Sequence, residues 1–445
     1  MSYEIPKPVA FLAFANDRED GNRYLRQLRN EADRLRDLLE QAETACELVV
    51  RQNASLDNIL DVFQDPRYRH LIAIFHFGGH ASSYQLLLES AQGKAVAADA
   101  GGLAAFLAQQ RGLQLVFLNG CSTRQQVQAL LEAGVQAVIA TDREISDDVA
   151  VDFAARFYKG LVADDDLQTA FASAQGALRA DLGTPRDAYL AGREREGARA
   201  DGWPWGLYPS DMAEETATWS LRRAAGDPYF GLPPLPRRPL PARPFLGLSY
   251  FREKEAEIFF GRGHQIRELY DLVTDATLSS NPIILLYGQS GVGKSSLLAA
   301  GVLPRLKQVC DVRYVRREEA GNDLTAALHN ALDTTGEDLA DAWLRQETPD
   351  RPLVVILDQV EEVYTRPGPD PAWEMAAFLE GLERIFGDEF ERWPRGKLIL
   401  SFRKEWLAEI RDRVGERALP APKEMFLKQL DRSGIIEAVT GPTRT

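Results

Sequence analysis

The sequence predicts an α/β protein: two parallel-sheet α/β domains joined by a Pro-rich linker, with the start of a helical subdomain at the C-terminal end. Three observations predict it. Short apolar runs alternate with stretches of helical period through both halves of the chain, the pattern of parallel strands covered by helices on both faces. The stretch from Pro228 to Pro244, PYFGLPPLPRRPLPARP, holds seven prolines; proline removes backbone donors and fixes φ, so this reads as an extended connector. The 445 residues are enough for two to four domains at ~100–200 residues each. The expected division is 1–222, a linker over 223–244, a second domain over 245–425, and the helical piece over 426–445.

The elements follow in order. VAFLAF (Val9–Phe14) is a short apolar strand. Leu28, Ala32, Leu35 and Leu39 recur at spacings of four, three and four, one face of a helix. CELVVRQ (Cys46–Gln52) is a second strand, and SLDNILDVFQD (Ser55–Asp65) a helix with Ser55 as N-cap. LIAIFHF (Leu71–Phe77), LQLVFLN (Leu113–Asn119) and AVIAT (Ala137–Thr141) are three more strands. Helices are expected over Thr123–Ala133, Asp147–Leu161 and Leu167–Ala180. Beyond the prolines, NPIILLYG (Asn281–Gly288), LVVILD (Leu353–Asp358) and KLILSF (Lys397–Phe402) are strands with helices between them.

Composition narrows the function classes. A net charge of −14 argues against general affinity for nucleic acid and against anionic membranes. Cys46, Cys121 and Cys310 are far apart and show no CxxC spacing, so neither a zinc site nor a disulfide framework is expected. No leader-like segment and no apolar stretch of membrane-spanning length occurs in the sequence, and a reduced, cytoplasmic protein is the expectation.

Two strand ends in the first half carry unusual residues. The third strand runs into FHFGGHA, placing His80 just past its end; the fourth runs into FLNGCST, placing Cys121 just past its end. If the strands are neighbours, both side chains project from one sheet edge, where active groups of such sheets gather. A thiol attacks amides as thiolate or with a base nearby, and imidazole is that base near neutral pH. Gly78, Gly79 and Gly120 allow sharp turns there. The competing reading makes His80 a satisfied buried histidine and Cys121 a small core residue. Spacing and placement alone leave the two even.

HFGGHA followed by LNGCST resembles the CHAT branch of caspase-like cysteine peptidases over residues 5–210. VIATDREISDDVAVDFAARFYKGL (Val138–Leu161) resembles the family's post-cysteine strand, acidic turn and helix, and WPWGLYPS (Trp203–Ser210) stands where relatives close the domain. The resemblance implies Cys121 as nucleophile and His80 as general base, with His76 structural. It implies the backbone amides of Ala81 and Cys121 as oxyanion donors. The family commonly has glycine where this chain has Ala81, and a left-handed backbone would be costly for alanine. Asp147 and Asp148 follow the fifth strand. A carboxylate lining the pocket would select Arg or Lys before the scissile bond; the alternative is that Asp147 caps the next helix.

GQSGVGKSS (Gly288–Ser296) fits G-x-x-x-x-G-K-[ST] directly after a strand and before a helical run, the context that makes this phosphate loop specific. Gly288, Gln289, Ser290, Gly291, Val292 and Gly293 offer backbone N–H groups to phosphate oxygens, and the helix beginning Lys294, Ser295, Ser296 adds its positive end. Lys294 would reach the β- and γ-phosphates, with Mg²⁺ held by Ser295 and Asp358. Glu361 or Glu362 would orient the attacking water, and Arg403, past the next strand, would sense the γ-phosphate.

Residues 245–445 resemble the bacterial branch of STAND signalling NTPases, from PFLGLSYF through IFFGRGHQIREL (Ile258–Leu269) and the motifs above. The resemblance implies ATP and ADP as ligands, Phe260–Arg262 as the adenine cradle, and partial agreement of Gly441 and Pro442 with a Gly-x-Pro contact. FLKQLDRSGIIEAVTGPT (Phe426–Thr443) resembles the opening of the next helical subdomain; the sequence stops before the winged-helix and sensor parts that such proteins usually have, as a truncated chain or one with a separate sensor would. Together the resemblances imply an ATP-regulated cysteine endopeptidase with a slow ATPase module, switched by nucleotide-dependent homo-oligomerisation. It would act on a protein substrate after basic residues, under a protein trigger, in antiphage defence or regulated cell death. The alternative is an inactive caspase-like adaptor on a nucleotide-operated assembly switch.

Overall fold

The apolar runs pair into two separate sheets in the computed structural model. It describes residues 4–17, 24–42, 45–81, 85–90, 95–121, 123–183, 203–210, 218–236, 240, 245–247, 249–275, 278–321, 323–334, 338–348, 350–387 and 394–443. The chain divides into compact units over 2–232 and 233–445.

The strands of the first unit are β1 (Val9–Ala15), β2 (Glu47–Gln52), β3 (Ile72–Gly79), β4 (Gln85–Glu89), β5 (Ala95–Asp99), β6 (Leu115–Asn119), β7 (Ala137–Thr141) and β8 (Trp205–Pro209). Six of them form one sheet in the order β2-β1-β3-β6-β7-β8, and β4-β5 pair separately. Every pairing in the large sheet is parallel except β7 with β8. The helices are α1 (Leu28–Glu40), α2 (Leu56–Gln64), α3 (Ala100–Leu107), α4 (Val127–Glu132), α5 (Asp147–Val162), α6 (Leu167–Leu182) and α7 (Leu221–Gly226). β1 shows why its sequence is apolar throughout. Ala10, Leu12 and Phe14 face a core shared with α1, α5 and α6, while Val9, Phe11, Ala13 and Ala15 face one shared with α2, α3 and α4. Alternate residues of a strand point to opposite faces, so covering both faces leaves no polar position. Ser55 caps α2 as its sequence predicts, accepting the Asn58 N–H at 3.1 Å.

Residues 223–232, placed with the linker on proline content, belong to the first unit. Phe230 and Leu232 are buried, and Gly231 (φ +74°) lies so near the His70 carbonyl that a Cβ would stand 2.2 Å from its oxygen. Two apolar anchors there outweigh the connector character of the prolines. Of the remaining linker, 237–239 and 241–244 lie outside the described residues.

The second unit has one sheet of β9 (Ile283–Gly288), β10 (Asp311–Arg316), β11 (Leu353–Asp358), β12 (Lys397–Arg403) and β13 (Lys423–Leu427). It is wholly parallel, in the order β10-β11-β12-β9-β13. The sequence marked only the three central strands. β10 (DVRYVR) and β13 (KEMFL) are edge strands with one side half-exposed, so each reads as mixed polar and apolar rather than as an apolar run. Phe426 and Leu427 therefore end a strand; the helical piece begins after them, at α13. The helices are α8 (Gly263–Thr274), α9 (Leu324–Ala331), α10 (Leu339–Gln346), α11 (Pro371–Phe386), α12 (Leu407–Gly415) and α13 (Arg432–Thr440), besides the helical run 294–306 after the phosphate loop. Among the described residues no helix is long and apolar enough to cross a membrane.

Candidate functional site

β3 and β6 are adjacent, with Gly78 registered opposite Asn119. One residue further, the two turns touch. A Cβ on Gly120 would stand 2.6 Å from the Gly79 carbonyl oxygen and 3.0 Å from the Ala81 Cβ. Only glycine permits that approach. It brings the turn ending in His80 directly against the turn ending in Cys121, from strands ~4.8 Å apart. The His80 carbonyl accepts the Leu87 N–H at 3.0 Å, and Ala81 bridges Leu86, so the β4-β5 hairpin fastens the histidine turn. Ala81 is not among the residues at positive φ, and the strain that a left-handed alanine would bring is absent.

The cysteine turn is fastened from β7. The Thr141 hydroxyl donates to the Gly120 carbonyl, and the Thr123 hydroxyl accepts the Thr141 N–H at 2.9 Å. Both threonines are fully buried. Beneath the two turns lies a buried carboxylate that the sequence reading passed over. Glu31 of α1 accepts from Asn119 Nδ2 at 2.6 Å and lies 3.1 Å from His76 Nε2; Asn119 also donates to the Ala150 carbonyl of α5 at 3.2 Å. Glu31 thus joins the strand bearing His80, the strand bearing Cys121 and α1. A glutamate three residues after Leu28, on the apolar stripe of a helix, was the available signal. His76 is fully buried against that carboxylate.

Burial pushes the Cys121 thiol above its usual range; the Ile145 backbone N–H pulls it down, and the carboxylates of Glu144 and Asp147 push it further up. The resting sulfur is therefore a thiol, and attack would need a base at the moment of reaction. Asp147 opens α5 just inside its N-cap, Ser146, so it is not itself the cap. Burial raises its carboxyl, and the largest opposing influence is His80. Asp147 thus lies within electrostatic reach of both His80 and Cys121. Asp148 does not share that place: it lines a cleft of about 400 Å³ with Gln27, Asn30, Arg34, Asp152 and Asp181.

At the crest of the second sheet, β9 runs into the phosphate loop. Gly291 (φ +75°) and Gly293 (φ +98°) are left-handed, the curvature that turns backbone N–H groups toward an anion. Lys294 Nζ folds over the loop onto the carbonyls of Gly288 and Gln289, at 3.1 and 3.2 Å. Burial pulls its ammonium below the usual range, against Glu361 and Asp358. Ser295 Oγ donates to Asp358 Oδ2 at 2.7 Å, so a hydroxyl and a carboxylate oxygen already meet. Oxygen donors at one point suit Mg²⁺. Gln359 holds φ +66° immediately after Asp358, a costly backbone for glutamine of the kind found at functional sites.

The two glutamates separate. Glu361 is buried, pairs with Arg403 Nε at 3.1 Å and lies within the field of Lys294. Glu362 pairs with Arg366 at 3.3 Å. Arg262 binds protein carbonyls, Val292 of the loop and Lys428 after β13, each at 2.8 Å. A Cβ on Gly441 would stand 2.4 Å from the Phe260 ring, and one on Gly261 2.3 Å from the Gly434 carbonyl. The segment 260–262 is therefore covered closely by α13 and the turn after it.

Fold and strand-end pair together define a caspase-like unit followed by a phosphate-loop NTPase unit. The chain belongs to the CHAT domain family, which matches residues 3–227, and the family described as novel STAND NTPase 1 matches residues 244–445. No curated protein matches the chain. Among solved structures it is similar to the Drosophila initiator caspase Dronc, at 13% identity and TM-score 0.30 over 47% of this chain and 82% of that one. It is also similar to Aeropyrum pernix ORC2 in ADPNP–ADP complexes (18%, TM-score 0.29, 37% of this chain and 47% of that one). AMPPCP-bound DnaA from Aquifex aeolicus is a third (18%, TM-score 0.28, 45% and 56%). The chain thus spans about half the length of those two proteins.

Proposed function

We propose that the chain is an ATP-regulated cysteine endopeptidase. The observation that supports this reading is the close approach of Gly120 to Gly79 and Ala81, which brings the turn carrying His80 against the turn carrying Cys121. In the proposed reaction His80 takes the Cys121 proton as sulfur attacks the peptide carbonyl carbon. The amides of Ala81 and Cys121 hold the oxyanion. The amine leaves with the proton from His80, and water then hydrolyses the thioester. Asp147 is the carboxylate that favours a basic side chain before the scissile bond; Asp148 lines another cleft and is set aside.

The NTPase unit acts as the switch. ATP lies on the loop 288–293 and Lys294, with Phe260–Arg262 toward the base, Glu361 toward the attacking water and Arg403 toward the γ-phosphate. Mg²⁺, when bound by Ser295 and Asp358, neutralises phosphate charge. ATP-dependent self-association promotes cleavage and slow hydrolysis resets it, in response to a protein trigger, in antiphage defence or regulated cell death in the cytoplasm.

Cleavage of an Arg/Lys peptide panel, measured with ATP, ADP and no nucleotide across protein concentrations, tests both halves. Loss of cleavage in Cys121→Ala and His80→Ala is the expected result; an unchanged rate in Cys121→Ala would rule the assignment out. A second reading, an inactive adaptor, is favoured by the raised thiol of Cys121. A cysteine-directed peptidyl probe that never labels Cys121, with or without ATP, would support it.

A further inference from the structure

Asp358 ends β11, and three groups of this chain share its Oδ2. Ser295 Oγ and Tyr314 Oη each donate at 2.7 Å, and Arg316 Nη2 at 3.4 Å. Tyr314 and Arg316 come from β10, with Arg316 registered directly opposite Asp358. Two residues apart on a strand, they point to the same face. Arg316 is held from its other side by Tyr250, whose ring centroid lies 4.5 Å from the guanidinium, a cation–π distance. The next residue, Phe251, donates its N–H to Ser296 Oγ at 3.1 Å. The segment 249–251 therefore touches both the phosphate-loop helix and the cation over Asp358.

Asp358 is 1% exposed, and a carboxylate so deeply buried needs a counter-charge. Arg316 supplies one. Mg²⁺ held by Ser295 and Asp358 would bring a second cation to the same carboxylate, and two cations a few ångströms apart repel.

We propose that Arg316 is the resident cation of the metal carboxylate. Mg²⁺–nucleotide displaces it from Asp358, and the Tyr250–Arg316 stack passes that displacement to segment 249–251. This rests on the nucleotide-binding reading and adds to it a route from the phosphate loop to segment 249–251 of the same unit.

The test uses the full chain and a fluorescent ATP analogue, titrated in EDTA and in Mg²⁺. Arg316→Gln is expected to tighten Mg²⁺-supported binding about tenfold or more, the equivalent of one charge-assisted hydrogen bond, and to leave binding in EDTA unchanged. Tyr250→Leu shifts it in the same direction by a few-fold and serves should Arg316→Gln fail to fold. Chymotrypsin provides a second readout: Mg²⁺–nucleotide opens wild-type Tyr250 and Phe251 to cleavage, whereas in Arg316→Gln they are open without it. Weaker Mg²⁺-supported binding in Arg316→Gln would overturn the proposal and make Arg316 a phosphate ligand. Binding that is lost in Lys294→Ala but indifferent to Arg316 and Tyr250 rejects the proposal and leaves the nucleotide reading standing. Binding absent from wild type, or unaltered in Lys294→Ala, rejects both.

Discussion

Gly120→Ala is the sharpest probe of the first site. The new methyl would lie 2.6 Å from the Gly79 oxygen and 3.0 Å from the Ala81 Cβ. Carbon–oxygen contacts settle near ~3.4 Å, so the two turns must part by about 0.8 Å. Both obstacles belong to the neighbouring backbone or sit on it, and neither can swing aside. Gly120 is not at positive φ, so the effect is contact and not dihedral strain. Overpacking of this kind costs about 1–3 kcal/mol, offset by ~0.4–1 kcal/mol because alanine restricts the unfolded chain. The expected net loss is about 1–2 kcal/mol, a few degrees in the melting of a unit this size. The same separation moves the Cys121 turn from the His80 turn, and for the proposed reacting pair a displacement near 1 Å lowers turnover by on the order of 100-fold. Differential scanning calorimetry and peptide turnover read the two effects side by side. An alanine variant with wild-type turnover would show that the contact does not set the reacting geometry, and would remove the main support for a peptidase.

Further outcomes follow from neighbouring groups. Glu31→Ala strands Asn119 Nδ2 and the His76 ring without their carboxylate and should destabilise the first unit by about 2–4 kcal/mol in denaturant titration; Glu31→Gln, which keeps one acceptor, should lose less than half of that. Thr141→Val removes the donor to the Gly120 carbonyl and should cost about 1–2 kcal/mol with a roughly tenfold loss of turnover; unaltered kinetics would make the bond merely structural. Lys397 is drawn down to about 8 by burial while it donates to the carbonyls of Leu278 and Asn281. The unfolded chain binds that proton up to pH ~10.4, so between about pH 8 and ~10 it holds more protons than the folded one. The lysine's contribution then grows more favourable as pH rises. The stability difference between wild type and Lys397→Met should show that slope, and a flat difference across the window would refute it.

Much of this protein was legible in one dimension because the reading depended on short-range pattern. Buried parallel strands must be apolar on both faces, so β1, β3, β6, β7, β9, β11 and β12 stand out as runs. A phosphate loop is a local backbone shape, and its glycines and lysine are contiguous. His80 and Cys121 were visible because each follows such a run by one or two residues. Edge strands β10 and β13 were hidden, since each is only partly buried and mixes charged with apolar residues. Tertiary structure alone decided what meets across the chain. It put Glu31 under two strand ends far along the sequence, sent Asp147 and Asp148 to different places, divided Glu361 from Glu362, and laid Arg316 on Asp358. Composition and period report how each segment is buried. Contacts between segments depend on sheet order and register, which pairing among all the strands settles together.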